Sequence, residues 1–347
     1  MSSSIQQTMF EAIETELKRQ VARLDQPRTK PFHEMLTYHM GWTGEGAGPN
    51  ATGKRIRPLL TLLSTSSSFG KENKQKDDVE VSWLHAVSAA AAIELIHNFS
   101  LAHDDIQDNS ELRRGRKTLW VKWGSPLAIN AGDALFVIAN QSILDLSRHY
   151  PAEIVVRAAS MLSNSCLDLT YGQYLDMSYE ERTDLKMEDY WPMIGGKTSS
   201  LLAACTQIGS LLGYANDEKV EAYRQFGYHL GLAFQVQDDI LGIWGDESVT
   251  GKSAASDLVE GKNSLPVLFG LEQNGGFAAR WRQGPIIQNE VNSVAAMLED
   301  EGGKEYAEKM AESETQKALD FLKQAEPAGE AGQIMLELAH MLLKRKQ

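Results

Sequence analysis

The amino-acid sequence predicts an all-α fold, and three observations carry that prediction. Apolar residues recur at three- and four-residue spacing along most of the chain, which is the period of a helix with one buried face. No long run alternates β-branched with polar residues, as a half-buried strand would. Short glycine-containing segments separate the periodic stretches, and none resembles a long flexible linker. We therefore expect one domain over residues 1–347, built of roughly ten or more helices.

The helical segments follow one another from the N-terminus. Residues 1–20 form an amphipathic pattern and lack the charged head and apolar run of a signal peptide. The longest periodic stretches are SWLHAVSAAAAIELIHNFSLAHDDIQD (82–108), EIVVRAASMLSNSCLDLTYGQYLDM (153–177), EAYRQFGYHLGLAFQVQDDIL (221–241) and GEAGQIMLELAHMLLKRKQ (329–347). Glycine and polar residues predict loops at 42–54, 69–78, 242–252 and 272–277.

The composition excludes several classes of protein. Hydrophobic residues make up 42% and charged residues 23% of the chain, ordinary values for a soluble globular protein. No uninterrupted apolar run approaches the ~18–20 residues that a membrane-spanning helix needs. The net charge of −13 argues against nucleic acid as the main partner. Cys166 and Cys205, the only cysteines, suggest neither a disulfide framework nor a zinc site, so we expect a reducing, cytoplasmic compartment.

The segment HDDIQDNSELRRGRKT (103–118) concentrates three carboxylates within five residues. On a helix, Asp104 and Asp108 lie about 40° apart on one face and one turn apart, with Asp105 on the flank. Like charges at this spacing repel, and a divalent cation would turn that cost into a binding site. Magnesium is typically held by one or two carboxylates together with substrate phosphates. Taken alone, this motif could also be an ordinary acidic helix end that binds no metal.

A second acidic pair favours the metal site over that alternative. AFQVQDDILGIWGD places Asp238 and Asp239 near the end of another apolar helix. Gln235 precedes them by three and four residues and therefore shares their face. Chance supplies one apolar helix with a terminal acidic pair more readily than two.

Basic residues cluster beside both acidic motifs. GKRIRPLL (53–60) precedes an apolar helix, and Arg55 within it is expected to be solvated. GGKTSS (195–200) offers Lys197 and Thr198 at a turn or helix break, without the spaced first glycine of a phosphate-binding P-loop. Lys252 and Lys262 follow the second acidic motif. Together these cations suit a diphosphate, because arginine forks match its oxygens and lysine supplies point charge.

These motifs resemble the trans-isoprenyl diphosphate synthases of the polyprenyl synthetase family. The resemblance spans about residues 50–270 and includes GKRIRP, ELIHNFSLAHDDIQDNSELRRG, NAGDAL, YGQYLD, GGKT, FQVQDD and GKNSLP in order. The chain is most similar to bacterial geranylgeranyl diphosphate synthases. The resemblance implies an isoprenoid synthase-type helical bundle around a deep central cavity, usually as a homodimer.

The resemblance also implies a role for each matching residue. Asp104 and Asp108 would bind magnesium on the allylic diphosphate, supported by Asp105, and Asp238 would bind another magnesium from the opposite wall, with Asp239 nearby. Three magnesium ions are expected with substrate bound. The side chains expected to hold the allylic diphosphate are Arg113, Lys197, Thr198, Gln235, Lys252 and Lys262. Those expected to hold isopentenyl diphosphate are Lys54, Arg57, His97 and Arg114.

A few residues need separate comment. Gln173 and Asp176 match a family segment expected to orient a lysine or a water near the site. His97 on an apolar helix would otherwise be interpreted as a core residue, and His103 is interpreted as structural. The second acidic motif is often DDxxD in the family, but here its fifth position is Gly242, and Asp246 is the expected substitute through water.

The expected reaction is head-to-tail prenyl transfer by magnesium-assisted ionisation, which needs no nucleophilic side chain. Product length should depend on Phe99 and Ser100, which lie about one turn deeper along the helix than Asp104. Ser100 is small and would let a chain pass, whereas Phe99 is bulky and would form the floor of the cavity. One aromatic at the fifth upstream position resembles synthases of C20 products. We therefore expect geranylgeranyl diphosphate as the main product, with farnesyl or geranylfarnesyl diphosphate as alternatives.

Two rival functions remain open at this point. A class I terpene cyclase also uses DDxxD, but it would not need the isopentenyl diphosphate residues of GKRIRP. A non-catalytic regulatory subunit would normally have lost one or both acidic motifs, and both are present.

Overall fold

The computed structural model describes residues 4–69, 82–180, 182–245 and 255–343, and it is almost entirely helical. The first half contains α1 (Ser4–Val21), α2 (Lys30–His39), α3 (Pro49–Thr52), α4 (Ile56–Ser67), α5 (Val87–Gln107), α6 (Leu119–Trp123), α7 (Ser125–Leu144) and α8 (Ala152–Tyr179). The second half contains α9 (Met187–Ile194), α10 (Ser200–Leu212), α11 (Asp217–Trp244), α12 (Ser256–Val259), α13 (Leu265–Gln273), α14 (Gly276–Trp281), α15 (Val291–Asp300), α16 (Gly303–Ala325) and α17 (Gly329–Leu343). The all-α prediction is confirmed.

Shorter elements refine the sequence-based expectations. A 3₁₀ turn, Trp83–Ala86, precedes α5, so the predicted long helix begins as a tighter turn. The predicted loop 42–54 contains the short helix α3. An antiparallel hairpin of two-residue strands, β1 (Leu112–Arg113) and β2 (Arg116–Lys117), lies where no strand was expected. Two-residue strands cannot show the alternation by which strands are recognised in a sequence.

The chain divides into two units. The first comprises Met1–Ser163, Ala204–Val220 and Pro327–Gln333, and the second comprises Asn164–Ala203, Glu221–Glu326 and Ile334–Gln347. The assignment of the whole chain to one domain remains a prediction. The two acidic motifs fall in different units, and each unit is therefore described by itself.

In the first unit, α5 is the central helix. Its residues Ala89–Leu95 are all buried, which leaves no solvent-facing stripe on this part of the helix. The alanine run has small side chains, and α7 packs closely along α5 while α1 and α4 cover other sides. Within the described residues, one stretch, Ser125–Arg148, is long and apolar enough to span a membrane by length and composition alone. It packs on α5, and 44% of its most apolar window is buried.

The second unit has its own core between α8, α9, α11, α13 and α16. The buried residues of this cluster include Tyr190, Val236 and Leu265, which are contributed by three of these helices. A neighbouring cluster joins Ile243 of α11 to Leu258 of α12 and to the helices that follow. These contacts fix the end of α11, where the second acidic motif lies.

Candidate active site

The first acidic motif, Asp104–Asp108, lies at the C-terminal end of α5. The N–H of Asp108 donates to the carbonyl of Asp104 over 2.8 Å, so the two residues are one turn apart as predicted. Asp104 is half-buried and Asp108 is exposed. The C-terminal end of a helix carries partial negative charge. Two carboxylates added to that end therefore favour a bound cation.

Asp105, by contrast, turns into the protein. It is 1% exposed, and its Oδ1 accepts a 2.7 Å hydrogen bond from Nε of Arg113. Burial raises the pKa of this carboxyl, and the Arg113 charge opposes that effect. Among the described residues, Oδ2 of Asp105 has no hydrogen-bond partner. The flanking carboxylate therefore holds an arginine in place.

The hairpin separates the two adjacent arginines. Arg114 and Gly115 form its two-residue turn with φ of 53° and 73°, and positive φ at both positions is characteristic of a type I′ turn. Arg113 reaches Asp105, whereas Arg114 donates to the carbonyl of Ala51 over 2.8 Å. A Cβ on Gly53 would lie 2.7 Å from Cζ of Arg114, so the glycine of GKRIRP makes room for this guanidinium. A non-glycine residue with positive φ is strained, and such strain clusters at functional sites.

Arg55 corrects one expectation from the sequence. It was expected to be solvated, but it is 5% exposed and bonded to Glu94 over 2.7 Å and to Glu14 over 2.6 Å. Its ion pairs with Glu14 of α1 and Glu94 of α5 join these two helices and are structural. Lys54 is exposed and Arg57 is half-buried in the first turn of α4, as binding residues would be.

The arginines around GKRIRP and the hairpin create a strongly positive region. Burial, followed by the charges of Arg57 and Arg114, lowers the pKa of His97 well below its usual range. Burial and the same class of charges lower the pKa of His39 to about 4. Both histidines are therefore neutral near pH 7. A group of guanidinium ions beside neutral imidazoles suits an anion.

Phe99 and Ser100 lie on α5 upstream of the first acidic motif. The Phe99 ring packs edge-on against His103, with 5.0 Å between centroids, and at a tilt against Phe136 of α7, with 5.3 Å between centroids. Ser100 is buried, and its hydroxyl donates to the carbonyl of His97 within α5. His103 contacts the carbonyl of Ile129 over 3.1 Å, which agrees with the structural role expected for it.

The second acidic motif, Asp238–Gly242, lies near the end of α11 in the second unit. Asp238 is exposed, whereas Asp239 is 6% exposed. Oδ2 of Asp239 accepts from the Tyr190 hydroxyl over 2.7 Å and from the N–H of Leu265 over 3.0 Å. Burial raises the pKa of Asp239 to about 7, although these donors oppose the shift. Asp239 thus anchors α9 and α13 to α11.

Gln235 links Asp239 to the GGKTSS segment. Its amide donates to Oδ1 of Asp239 over 3.1 Å, and its carbonyl oxygen accepts from the Thr198 hydroxyl over 2.8 Å. The predicted helix break is a π-helical turn, Gly195–Ser199, between α9 and α10. Such turns are frequent at functional sites. The chain of bonds sets the orientation of Thr198.

Lys197 projects from this π-helical turn and forms an ion pair with Asp176 of α8. The expectation that Asp176 orients a lysine is confirmed. Two glycines allow the approach, because a Cβ on Gly172 would lie 2.6 Å from the carbonyl carbon of Gly196. A Cβ on Gly196 would likewise lie 2.5 Å from the carbonyl oxygen of Asp168.

Near the second acidic motif, Lys262 pairs with Asp257 over 3.2 Å and with Glu260 over 3.1 Å. Although burial disfavours its charge, these two carboxylates raise the pKa of Lys262. Lys252 and Asp246, both singled out from the sequence, lie outside the described residues.

The carboxylates of the first acidic motif can be judged by the ligands that a divalent cation needs. Within the described ranges, no three His, Cys, Asp or Glu side chains form a group that could hold a metal. The carboxylates of Asp104 and Asp108, one turn apart, nevertheless supply hard oxygen ligands. Magnesium retains waters and takes its remaining ligands from substrate phosphates. The residues therefore fit magnesium that arrives with a diphosphate.

Several site residues were missed in the sequence. Tyr190 holds Asp239, and Arg116 fixes the hairpin by donating to the carbonyls of Tyr38, Thr43 and Glu45. Asp257 was also missed. Its one signal in the sequence is Gly242, which stands where the family motif often has a carboxylate.

Known proteins resemble this chain over most of its length. The polyprenyl synthetase family model matches residues 48–298. The (2E,6E)-farnesyl diphosphate synthase of Mycobacterium tuberculosis is 33% identical, covering 97% of this chain and 91% of that protein. The geranylgeranyl diphosphate synthase of the same organism is 35% identical, covering 85% and 83%.

A solved structure extends the likeness to the fold. The polyprenyl synthetase of Streptomyces coelicolor A3(2) matches with a TM-score of 0.84 and 33% identity, covering 97% of this chain and 98% of that chain. The helical architecture, the two acidic motifs and the cationic residues around them therefore have one explanation. The chain belongs to the polyprenyl synthetase family and is a short-chain trans-prenyltransferase.

Proposed function

We propose that the protein condenses isopentenyl diphosphate with allylic diphosphates and that its main product is geranylgeranyl diphosphate. The observation that carries the reaction is the pairing of Asp104 and Asp108 at the negative end of α5, beside a group of arginines. Carboxylates bind the cation and arginines bind the diphosphate oxygens. Neither group alone would hold a metal-bound diphosphate.

Asp104, Asp108 and Asp238 are proposed as magnesium ligands, and three ions are proposed with substrate bound. When bound, magnesium neutralises the developing charge of the diphosphate leaving group. Arg113, Lys197 and Lys262 add fixed positive charge for the allylic diphosphate. Thr198, Gln235 and Lys252 are also proposed to hold the allylic diphosphate. Because Asp176 and Asp257 orient two of these lysines, little reorganisation is needed when the leaving group departs.

Isopentenyl diphosphate is proposed to bind Lys54, Arg57, His97 and Arg114. His97 is neutral, so it donates a hydrogen bond without adding charge. The C1–O bond of the allylic diphosphate breaks to give an allylic cation and diphosphate, and the double bond of isopentenyl diphosphate then attacks that cation. A proton then leaves the new cation, and the released diphosphate is the base proposed to take it. The side chains supply positioning and electrostatic stabilisation.

The C20 assignment depends on Phe99. It is an aromatic residue five positions before Asp104, and Ser100, four positions before Asp104, is small. The curated C15 and C20 relatives are nearly equally similar to this chain. Overall identity therefore does not choose the product, and the upstream residues carry the proposal.

A homodimer is proposed from the outer face of α7. Ile129, Val137 and Leu144 are each about half exposed on one side of this helix, and apolar side chains that share an exposed patch mark interaction surfaces. A second copy of the chain would cover this face. Cys166 and Cys205 are buried and form no disulfide, which agrees with the proposed cytoplasmic location.

The proposal is tested by supplying purified protein with isopentenyl diphosphate and a C5, C10 or C15 allylic diphosphate, with and without magnesium. Chromatography of dephosphorylated products should show C20 chains that require both substrates and the metal. Product from an allylic diphosphate alone would indicate a cyclase. Inactivity of the folded protein would indicate a regulatory subunit. A dominant C15 or C25 product would overturn the assignment of chain length.

A further inference from the structure

The second acidic motif lacks a carboxylate at its fifth position, where the sequence has Gly242. The space beside that glycine is nevertheless filled. A Cβ placed on Gly242 would lie 2.5 Å from Cγ of Asp257 and closer still to its Oδ2. The carboxylate of Asp257 therefore lies where a side chain at position 242 would begin.

Asp257 is held in this place by several contacts. It lies in the short helix α12 and is 5% exposed. Its Oδ1 accepts from the ammonium of Lys262 over 3.2 Å. Leu258, the next residue, belongs to the apolar cluster that also contains Ile243 of α11. The contact with Lys262 and the packing of Leu258 thus hold the Asp257 carboxylate close to Gly242 of α11.

Asp257 and Asp239 are both buried carboxylates of the second unit. A buried carboxylate is costly unless a cation or hydrogen bonds offset its charge. Lys262 supplies one positive charge at this place, and it pairs with Asp257.

We propose that Asp257 supplies, from α12, the carboxylate that the second acidic motif lacks, and that Gly242 is the residue that admits it. The inference rests on the proposed function, because it assigns Asp257 to the same magnesium and diphosphate site. It replaces Asp246 as the substitute expected from the sequence. It also makes positions 242 and 257 interdependent, since only one of them can carry the side chain that fills the shared space.

This interdependence makes an exchange experiment decisive. The variants are Asp257→Asn, Asp257→Ala, Gly242→Asp and the double variant Gly242→Asp/Asp257→Ala. The probe is inorganic pyrophosphate, and its magnesium-dependent binding is followed by calorimetry and by the rise in Tm. Glu260→Gln is the matched control, because Glu260 also pairs with Lys262, whereas the three atoms nearest to a Cβ on Gly242 all belong to Asp257.

We expect Asp257→Asn and Asp257→Ala to raise the magnesium concentration for half-saturation about tenfold, as removing a supporting residue of a metal site does. Gly242→Asp alone should lower the Tm of the metal-free protein by about 2 °C or more, because two carboxylates would share one space. The double variant should recover both properties, since coupled neighbours are non-additive. Glu260→Gln should change half-saturation less than about twofold, as an exposed pair does.

Distinct results separate the inference from the function on which it rests. If the wild-type protein fails to bind pyrophosphate with magnesium, the proposed function fails and the inference with it. If the wild type binds but Asp257→Asn binds equally well, only the inference is overturned. A folded double variant no better than Asp257→Ala would overturn it as well.

Discussion

The aspartate pairs Asp104–Asp105 and Asp238–Asp239 share one arrangement and differ in how the inner charge is treated. In each pair the first residue reaches solvent and the second is buried. Asp105 is paired with a full positive charge on Arg113. Among the described residues, Asp239 accepts only from neutral donors on Tyr190, Leu265 and Gln235. The inner carboxylate of the first pair orients a cation, whereas that of the second joins helices.

The two motifs also differ in how they are completed. The first takes its third carboxylate, Asp108, from the next turn of the same helix. The second has Gly242 at the corresponding position, and the carboxylate beside that glycine comes from Asp257, fifteen residues further along. The first is therefore set by local helix geometry, and the second depends on how α12 packs.

Replacing the outward-facing aspartate of either pair has the largest expected effect. We expect Asp104→Asn and Asp238→Asn each to lower kcat by about 10²–10³-fold, the range for removing one preorganised electrostatic group from an active site. The measurement is steady-state prenyl transfer at saturating substrates and magnesium. If folded Asp239→Asn lowers kcat more than Asp238→Asn does, the assignment of Asp238 to the metal and of Asp239 to helix packing is wrong.

A matched control is available on α11. Glu218 is exposed in the first turn of that helix, so Glu218→Gln removes one negative charge far along the chain from the motif. Its effect on kcat should stay below about twofold, because solvent and salt screen an exposed charge. An equal loss in this variant would assign the effect to net charge.

The hairpin beside the first motif predicts that its two arginines act differently. We expect Arg114→Gln to raise the KM for isopentenyl diphosphate by about 10- to 100-fold, because a charge-assisted hydrogen bond contributes about 1.5–3 kcal/mol. Arg113→Gln should instead raise the KM for the allylic substrate. It should also lower the free energy of unfolding by about 1–3 kcal/mol, because Asp105 stays buried without its partner.

Separate titrations of the two substrates and urea unfolding of both variants make this measurement. Identical KM profiles for Arg113→Gln and Arg114→Gln would contradict the separation of the two side chains. Arg148→Gln is a suitable control, because Arg148 forms an exposed ion pair on the same unit.

The inner carboxylate of the second motif predicts a pH dependence. Asp239 has a folded pKa of about 7, above its usual 3.8. The native protein therefore keeps a proton that the unfolded chain has lost between these values. We expect the free energy of unfolding in metal-free solution to fall by about 1 kcal/mol between about pH 6 and 7 from this group, then level off.

Asp239→Asn should remove this contribution, because the amide does not titrate. Urea unfolding of both proteins across this pH range in the presence of a chelator gives the difference directly. The variant should also weaken the link to Thr198, since its amide would face the amide of Gln235. A pH dependence equal to that of the wild type would assign the slope to other groups.

The fold and the first motif could largely be predicted from the sequence, because both depend on local periodicity. A helix period places Asp104 and Asp108 on one face wherever the helix packs. The type I′ turn that separates Arg113 from Arg114 was harder, because Arg114 has none of the usual preference for positive φ. The environment of the hairpin, in particular the contacts of Arg116, keeps it in that conformation.

What could not be predicted depends on contacts between residues distant in sequence. Arg55 looked like a surface cation because the carboxylates of Glu14 and Glu94 lie some forty positions away on either side. Asp238 and Asp239 look equivalent as letters, and only the packing of α9 and α13 decides which is buried. Asp257 has no motif of its own, and its importance follows from a glycine on another helix.

The smallest expected effect on rate concerns Phe99, and it sharpens the contrast because only the helix of the first motif carries a proposed length determinant. We expect Phe99→Ala to lengthen the main product by at least one C5 unit while kcat changes less than about tenfold, because the ring lies about 7.5 Å along α5 from Asp104 and outside the charged site. Chromatography of dephosphorylated products measures the shift. Phe136→Ala removes the same ring contact from α7, so it separates packing from tunnel length. Unchanged products in Phe99→Ala, or equal lengthening in both variants, would show that Phe99 alone is not the floor.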